Sequence, residues 1–232
     1  MKQFGFTGKG TGRLGSSVFA ISGGAQIVRQ YNPIVANPST DAQVAQRSKL
    51  KLMSQIAASL AATIAIPRNG LQSGRNIFTK NNIALVTYAD NTAQVTPENL
   101  KVTNGAQDIP VASWDAGDLE INFAGLFSSN VKRVVINYYT ANADGSLSYA
   151  GGKNLPIVDG TPSGSSSISL VNGSTYVVYI YGLCSDDEGA NANYGNYALD
   201  ASQIAKLISS QSTMQSSYYA SKSQALKFTY SA

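Results

Sequence analysis

The chain has 232 residues, and 43% of them are apolar, which is enough for the core of one large domain or two small ones. Only 13% are charged, so Ser, Thr, Asn, Gln, Gly and Ala must cover most of the surface. With no histidine and a single cysteine, Cys184, the chain cannot form a Ser-His-Asp triad, a Cys-His dyad, a histidine-bearing zinc site or a disulfide framework. We therefore expect a protein that is not an enzyme and that needs no cofactor.

The net charge of +4 is unevenly distributed along the chain. Residues 1–80 contain ten Lys or Arg and one acid, Asp41, whereas residues 81–232 contain seven Lys or Arg and twelve acids. This asymmetry indicates that the N-terminal third contacts nucleic acid, an anionic membrane or an acidic protein surface. A solvated lysine-rich face is the alternative interpretation.

Two of those partners fit the sequence poorly. Aromatic residues are sparse among residues 1–80 and no recognition module fits, so we do not expect direct nucleic-acid contact. The longest apolar stretch, residues 56–66, is shorter than the ~20 residues that span a bilayer, and no signal peptide is recognisable. We expect a soluble protein, made in a cytosol, without membrane contact.

The N-terminal third predicts a hairpin followed by helices. The glycine-rich run ending in GRLGSSVFAIS predicts a β-hairpin, and its G-x-G-x-x-G at residues 10–15 is the hairpin tip, because a strand-like run follows it. Thr40 and Gln43 form a capping box that starts a helix over residues 41–66. Its apolar stripe is Met53, Ile56, Leu60 and Ile64. A shorter helix is predicted over residues 74–85.

From about Val86 the apolar period changes to two, which is typical of strands. The runs VTYADNTAQV, LEINFAG, VKRVVINYYTA, SISLV and STYVVYIYGLC, separated by Gly-rich turns, predict an antiparallel sandwich of immunoglobulin-like type. In VVINYYT the face with Val134, Ile136 and Tyr138 is expected to point inward. TYVVYIYG is apolar on both faces, so that strand is central or covered by a partner.

The C-terminal residues 190–232 are rich in Ser, Gln and Tyr and poor in charge. We expect a partner-binding arm, with a helix in its middle and a strand at the final ALKFTY. The predicted fold class is α+β, with an N-terminal β-hairpin and long helix, an antiparallel immunoglobulin-like β-sandwich and a C-terminal arm. The predicted domains are a basic hairpin-plus-helix docking region (1–85), the sandwich (86–189) and the arm (190–232).

Acidic motifs in the second half favour exposed surface over chemistry. Asp118 and Glu120 lie two apart on one predicted strand face, where paired carboxylates are usually solvated. The D-D-E at residues 186–188 lacks the alternating ligands of an EF-hand loop and is expected to be a solvated loop. Cys184 ends the most apolar strand and is expected to be a small buried hydrophobe.

Three N-terminal blocks, GRLGSSVF, GGAQIVRQY and ANPSTDAQVAQRSKL, resemble a family of Bacteroidetes and Bacteroidetes-phage proteins. The sandwich core, VVINYYT and STYVVYIYG, is similar too, so the resemblance covers about residues 8–185. The matching positions are Gly12, Gly15, Val28, Arg29, Asn37, Pro38, Thr40, Gln43 and Arg47. It implies a glycine-rich hairpin, an N-P-x-T-x-x-Q-x-x-x-R helix start and an immunoglobulin-like sandwich, in a structural protein of crAss-like or related tailed phages.

The expected function is that of a capsid auxiliary or decoration protein in the virion, assembled in the host cytoplasm and present in many copies. Its partners would be the major capsid protein or other virion proteins, bound through the basic N-terminal region. The expected partner-binding residues are Arg13, Arg29, Arg47, Lys49 and Lys51. Two alternatives stay open, a neck or tail-ring component and a glycan- or host-surface-binding module that uses tyrosines of residues 176–197 or of the C-terminal arm.

Overall fold

The computed structural model describes residues 11–22, 25–32, 39–66, 72–142, 145–184 and 220–231. The predicted arm helix and the D-D-E segment lie outside the described residues. The chain divides into two compact units, Met1–Gln43 and Val44–Ala232. The larger unit contains most of the first helix, the second helix and the last strand, which the predicted ranges 1–85, 86–189 and 190–232 assign to different domains.

The N-terminal unit contains a three-stranded antiparallel sheet in the order β1-β2-β3. Its strands are β1 (Gly12–Leu14), β2 (Ser17–Ser22) and β3 (Ala25–Gln30). Leu14 pairs with Ser17, so β1 and β2 are joined by a two-residue turn. Gly15 takes the first turn position at a φ of 60°, where a type II′ turn favours glycine.

Two helices follow, α1 (Asp41–Ser59) and α2 (Gly74–Asn82). The Thr40 hydroxyl accepts the Gln43 N–H at 3.4 Å, as an N-cap does. α2 and the 3₁₀ turn after it, Ile83–Leu85, confirm the helix predicted over residues 74–85.

The predicted end of the first helix, residue 66, is wrong. α1 ends at Ser59, and the chain turns and becomes extended, so that Ala65 donates its N–H to the Val102 carbonyl at 2.9 Å. Thr63, Ile64 and Ile66 are β-branched and favour extended backbone. The predicted apolar stripe is nevertheless buried from Met53 to Ile64.

A five-stranded antiparallel sheet forms the centre of the larger unit, in the order β10-β9-β8-β11-β12. Its strands are β8 (Arg133–Ala141), β9 (Leu147–Val158), β10 (Thr161–Pro162), β11 (Thr175–Leu183) and β12 (Gln224–Thr229). Two hairpins precede it, β4 (Thr87–Ala89) with β5 (Thr92–Gln94), and β6 (Val111–Asp115) with β7 (Glu120–Ala124). The class is α+β, mostly antiparallel sheet with two helices.

Several predicted strands differ from the observed ones. VTYADNTAQV is a hairpin rather than one strand, because Asp90 and Asn91 form its turn at positive φ. SISLV forms no ladder. Strands β6 and β9 were not predicted, since β6 has only five residues and β9 contains two glycines and a proline.

Both faces of the central strands β8 and β11 are mostly buried. One face packs against the helices and includes Val135 and Tyr139 with Met53, Ile56 and Phe78. The other face packs against the β6–β7 hairpin and includes Val134, Ile136, Tyr138, Ala112 and Ile121. The expectation that only the Val134 face of β8 points inward is therefore wrong, because the helices cover the second face. The expectation that TYVVYIYG is central is confirmed, since β11 lies between β8 and β12.

Strand β12 confirms the strand predicted at ALKFTY and fixes the β6–β7 hairpin to the sheet. The Gln224 amide donates to the Ile109 and Pro110 carbonyls at 3.0 and 2.9 Å, and its oxygen accepts the Ala112 N–H at 2.9 Å. Trp114 stacks on Phe228 with ring centroids 3.9 Å apart. The chain leaves the sheet after Leu183 and is again beside it at Ala220, where the two residues form a bridge.

Candidate interaction surfaces

The N-terminal sheet exposes apolar side chains on one face. By strand alternation Leu14, Ile21 and Val28 share this face, which we call the apolar sheet face, with the half-buried Phe19 between them. Leu14 and Val28 are each 55% exposed and Ile21 is 44% exposed. Every residue of β1 and β3 is exposed. Exposed apolar side chains grouped on one face mark a surface where another protein can bind.

The opposite face carries two of the predicted binding residues. Arg13 and Arg29 lie on either side of Val18 in the register of the three strands, and we call this the arginine sheet face. The Arg13 guanidinium lies 3.6 Å from the centroid of the Tyr31 ring, a cation–π contact that holds the side chain against the sheet. Within the described residues neither arginine forms an ion pair.

The other three predicted binding residues lie on α1, and they do not share one face. Arg47 and Lys51 are one turn apart, exposed, and on the same side of the helix. Lys49 is half-buried on the side that carries the buried Met53 and Ile56. Arg13 and Arg29 thus share one face of the sheet, and Arg47 and Lys51 share one side of α1. Lys49 lies on another side of the helix.

The tyrosines of β8 and β11 are core residues. Tyr176, Tyr179 and Tyr181 are at most 1% exposed, and Tyr179 donates to the Pro97 carbonyl at 2.8 Å. Burial raises the pKa of Tyr139 to about 12, although its hydrogen bond to Thr63 acts in the opposite direction. Burial also raises the pKa of Tyr179 far above the usual range. These tyrosines offer no exposed aromatic platform for a glycan.

The outer face of the β6–β7 hairpin is acidic, and we call it the acidic hairpin face. Asp115 and Glu120 are directly opposite each other across the two strands, and Asp118 is exposed in the turn between them. Asp115 accepts the Gly117 and Asp118 N–H groups, at 2.8 and 3.3 Å, and the Asn122 amide at 3.0 Å. In the described part of the chain none of these three carboxylates forms an ion pair. Like charges directly opposite each other destabilise a hairpin.

A groove of about 200 Å³ runs along the edge of β7 that faces away from β6. Its lining includes Glu120, Asn122, Phe123, Thr161 and Ser166. Glu120 accepts a hydrogen bond from Ser165, and Ile121 donates its N–H to Ser166 at 2.8 Å. The groove therefore presents one carboxylate and several neutral polar groups beside an aromatic ring.

The acidic hairpin face was only partly visible in the sequence. Asp118 and Glu120 were expected on one strand face, but Asp118 lies in the turn and the carboxylate opposite Glu120 is Asp115. The signal was present as DAGDLE, a turn sequence between two alternating runs. Only the register of the hairpin shows which two carboxylates are opposite.

Neither a metal site nor a membrane helix is found in the described residues. Among them no three His, Cys, Asp or Glu side chains converge so as to hold a metal ion. The helices of the same ranges lack the length and apolarity needed to cross a bilayer. No protein-family model, no curated protein and no solved structure matches the chain.

Proposed function

We propose that this protein is a non-enzymatic structural component of a phage virion, a capsid auxiliary protein that docks on the head shell through its N-terminal region. One observation carries the proposal. The N-terminal sheet exposes Leu14, Ile21 and Val28 on one face, and residues 1–80 of the sequence contain ten Lys or Arg and a single acid. Exposed aliphatic side chains suit a protein partner, and an excess of positive charge suits an acidic one.

Helix α1 provides a second exposed surface, most of which belongs to the larger unit. Residues 41–51 of the helix contain no buried side chain, and Arg47, Leu50 and Lys51 are exposed. Aliphatic burial supplies most of the affinity of a protein interface, whereas charges orient the encounter. We therefore assign Leu14 and Val28 to the first role and Arg47 and Lys51 to the second.

The immunoglobulin-like assignment of the larger unit is part of the proposal. The order β12-β11-β8-β9-β10 corresponds to strands G-F-C-C′-C″ of a variable-type immunoglobulin sheet. The β6–β7 hairpin then takes the place of strands A and B in the facing layer. Residues 163–170 take the place of strand E, because Ser166 is hydrogen-bonded to Ile121 of β7 and to Tyr138 of β8. Such domains are common non-catalytic modules that bind other proteins.

The proposal is tested by the copy number of the chain in purified particles of the suspected phage, measured by quantitative mass spectrometry against the major capsid protein. A shell component gives on the order of hundreds of copies, whereas the neck or tail-ring alternative gives about a dozen. Complete absence from the particles overturns the virion assignment.

The docking surface is tested by incorporation of variants into particles. Leu14→Ser with Val28→Ser should reduce incorporation about tenfold or more, because the two side chains lose their apolar contact with the shell. The matched control is Val158→Ser with Val171→Ser, which changes two equally exposed valines of the larger unit, 54% and 64% exposed. Equal incorporation of both variants would assign docking to another surface.

A further inference from the structure

We infer that the arginine sheet face docks on the acidic hairpin face of a second copy of this chain. The inference rests on the proposed function in one respect, because that proposal assigns the apolar sheet face to the contact with the phage shell. A single-layered sheet has two faces to cover, and the arginine sheet face, with Arg13, Ile27 and Arg29, differs chemically from the apolar one. The two faces therefore call for two different partners.

Charge identifies the occupant of the arginine sheet face. No acid lies among residues 1–40, so the sheet presents Arg13 and Arg29 without a neighbouring carboxylate in sequence. The same chain presents Asp115, Asp118 and Glu120 within six residues, unpaired by any described cation. Two arginines facing three carboxylates would form charge-assisted, bidentate hydrogen bonds and would remove the like-charge repulsion of the hairpin.

The two surfaces also match in shape and composition. β2 has six residues and β6 has five, so the strands are about 17 and 13 Å long, and both surfaces are pleated. Each has an exposed aliphatic residue, Ile27 at 44% on the sheet and Val111 at 67% on the hairpin. The groove beside Glu120 lies within reach of a long side chain that crosses β7. An arginine of the second copy has the length and the planar head to enter it.

The contact joins two different surfaces of the chain. A pairing of two arginine sheet faces would place Arg13 and Arg29 against like charges, which opposes association. Docking of the sheet on the hairpin instead uses two different surfaces of each copy, so every copy both offers and receives a sheet. Two copies that dock reciprocally form a two-fold dimer, whereas head-to-tail docking forms a ring or a filament.

The test is sedimentation velocity of the purified full chain over a range of concentrations. We expect concentration-dependent association that Arg29→Glu weakens about fivefold or more, and Asp118→Lys by a similar factor. In a mixture of the two single variants, the native Arg29 of one variant meets the native Asp118 of the other. The two substituted positions meet each other in the second contact. The double variant Arg29→Glu with Asp118→Lys should restore the affinity to within about threefold of the native value, because the pair is present again with its charges exchanged.

Matched controls separate this contact from a general effect of net charge. Arg75→Glu and Asp90→Lys change exposed residues of α2 and of the β4–β5 turn, and should leave association unchanged. Circular dichroism of each variant checks that it is folded. A chain that remains monomeric at every concentration overturns the inference, and so does a double variant no stronger than either single one. Incorporation of a monomeric chain into particles would overturn this inference and leave the proposed function standing.

Discussion

The two antiparallel sheets of this protein differ in what covers them. All six residues of β3 in the N-terminal sheet are exposed, whereas eight of the nine residues of β11 are buried. The sequence AQIVRQ of β3 is half polar, whereas TYVVYIYGL of β11 is almost entirely β-branched or aromatic. Helices and a hairpin also cover the central sheet on its two sides. Coverage by other elements decides which sheet is a core and which is a surface available to partners.

The largest expected effect comes from comparing one substitution in each of the two sheets. Ile180→Ala should lower the free energy of unfolding by about 2–5 kcal/mol, because Ile180 is fully buried and leaves a cavity. Ile27→Ala, at a side chain 44% exposed, should cost less than about 0.5 kcal/mol. Urea denaturation of the full chain measures both. A loss at Ile27 equal to that at Ile180 would mean that the N-terminal sheet is buried in solution.

An intermediate effect is expected at the buried hydrogen bond between Thr63 and Tyr139. Their oxygens are 2.6 Å apart, and Tyr139→Phe leaves the Thr63 hydroxyl buried without this partner, at a cost of about 1–3 kcal/mol. Tyr149→Phe is the control, because Tyr149 is 55% exposed and this substitution should lower the free energy of unfolding by almost nothing. A cost at Tyr139 no larger than at Tyr149 would show that the bond contributes nothing to the core.

The same tyrosine makes stability depend on alkaline pH. Its pKa is raised from 10.0 to about 12 in the folded protein, so the unfolded chain releases the proton first as the pH rises. The stabilisation is complete below pH 10 and is lost progressively up to about pH 12. Urea midpoints between these pH values should fall less steeply for Tyr139→Phe than for the native chain. Equal slopes of the urea midpoint against pH for the two proteins would show that Tyr139 does not cause this pH dependence.

The smallest effect lies in the N-terminal sheet itself. Arg13→Met removes the cation–π contact with Tyr31 and should weaken local protection of the β1–β2 amides by about 0.5–1 kcal/mol. Hydrogen exchange of those amides measures the change, because they report opening of the sheet rather than of the whole chain. Arg29→Met removes the same charge from the same face and should have the smaller effect. The reverse order would show that Tyr31 does not hold Arg13 in solution.

The sequence predicted the buried elements better than the surfaces. The doubly apolar TYVVYIYG identified β11 as central, and ALKFTY identified β12, because apolar runs indicate burial directly. The second buried face of β8 was missed because Asn137 interrupts its apolar pattern, and that residue is only 3% exposed. The separation of Lys49 from Arg47 and Lys51 follows from helix geometry. The opposition of Asp115 and Glu120 depends on a strand pairing that spacing alone does not provide.

The pairing of β12 with β11 has a consequence for how the free energy of folding is distributed. Leu183 and Ala220 form a bridge, so pairing brings together two positions with 36 residues between them in the sequence. Joining positions that far apart costs about 3 kcal/mol of chain entropy, whereas joining β8 and β9 across residues 142–146 costs about half as much. Strand β12 therefore adds less net stability than its stacked aromatic contacts and hydrogen bonds would give in a short hairpin. It is the strand of the central sheet whose attachment depends most on the length of its connection.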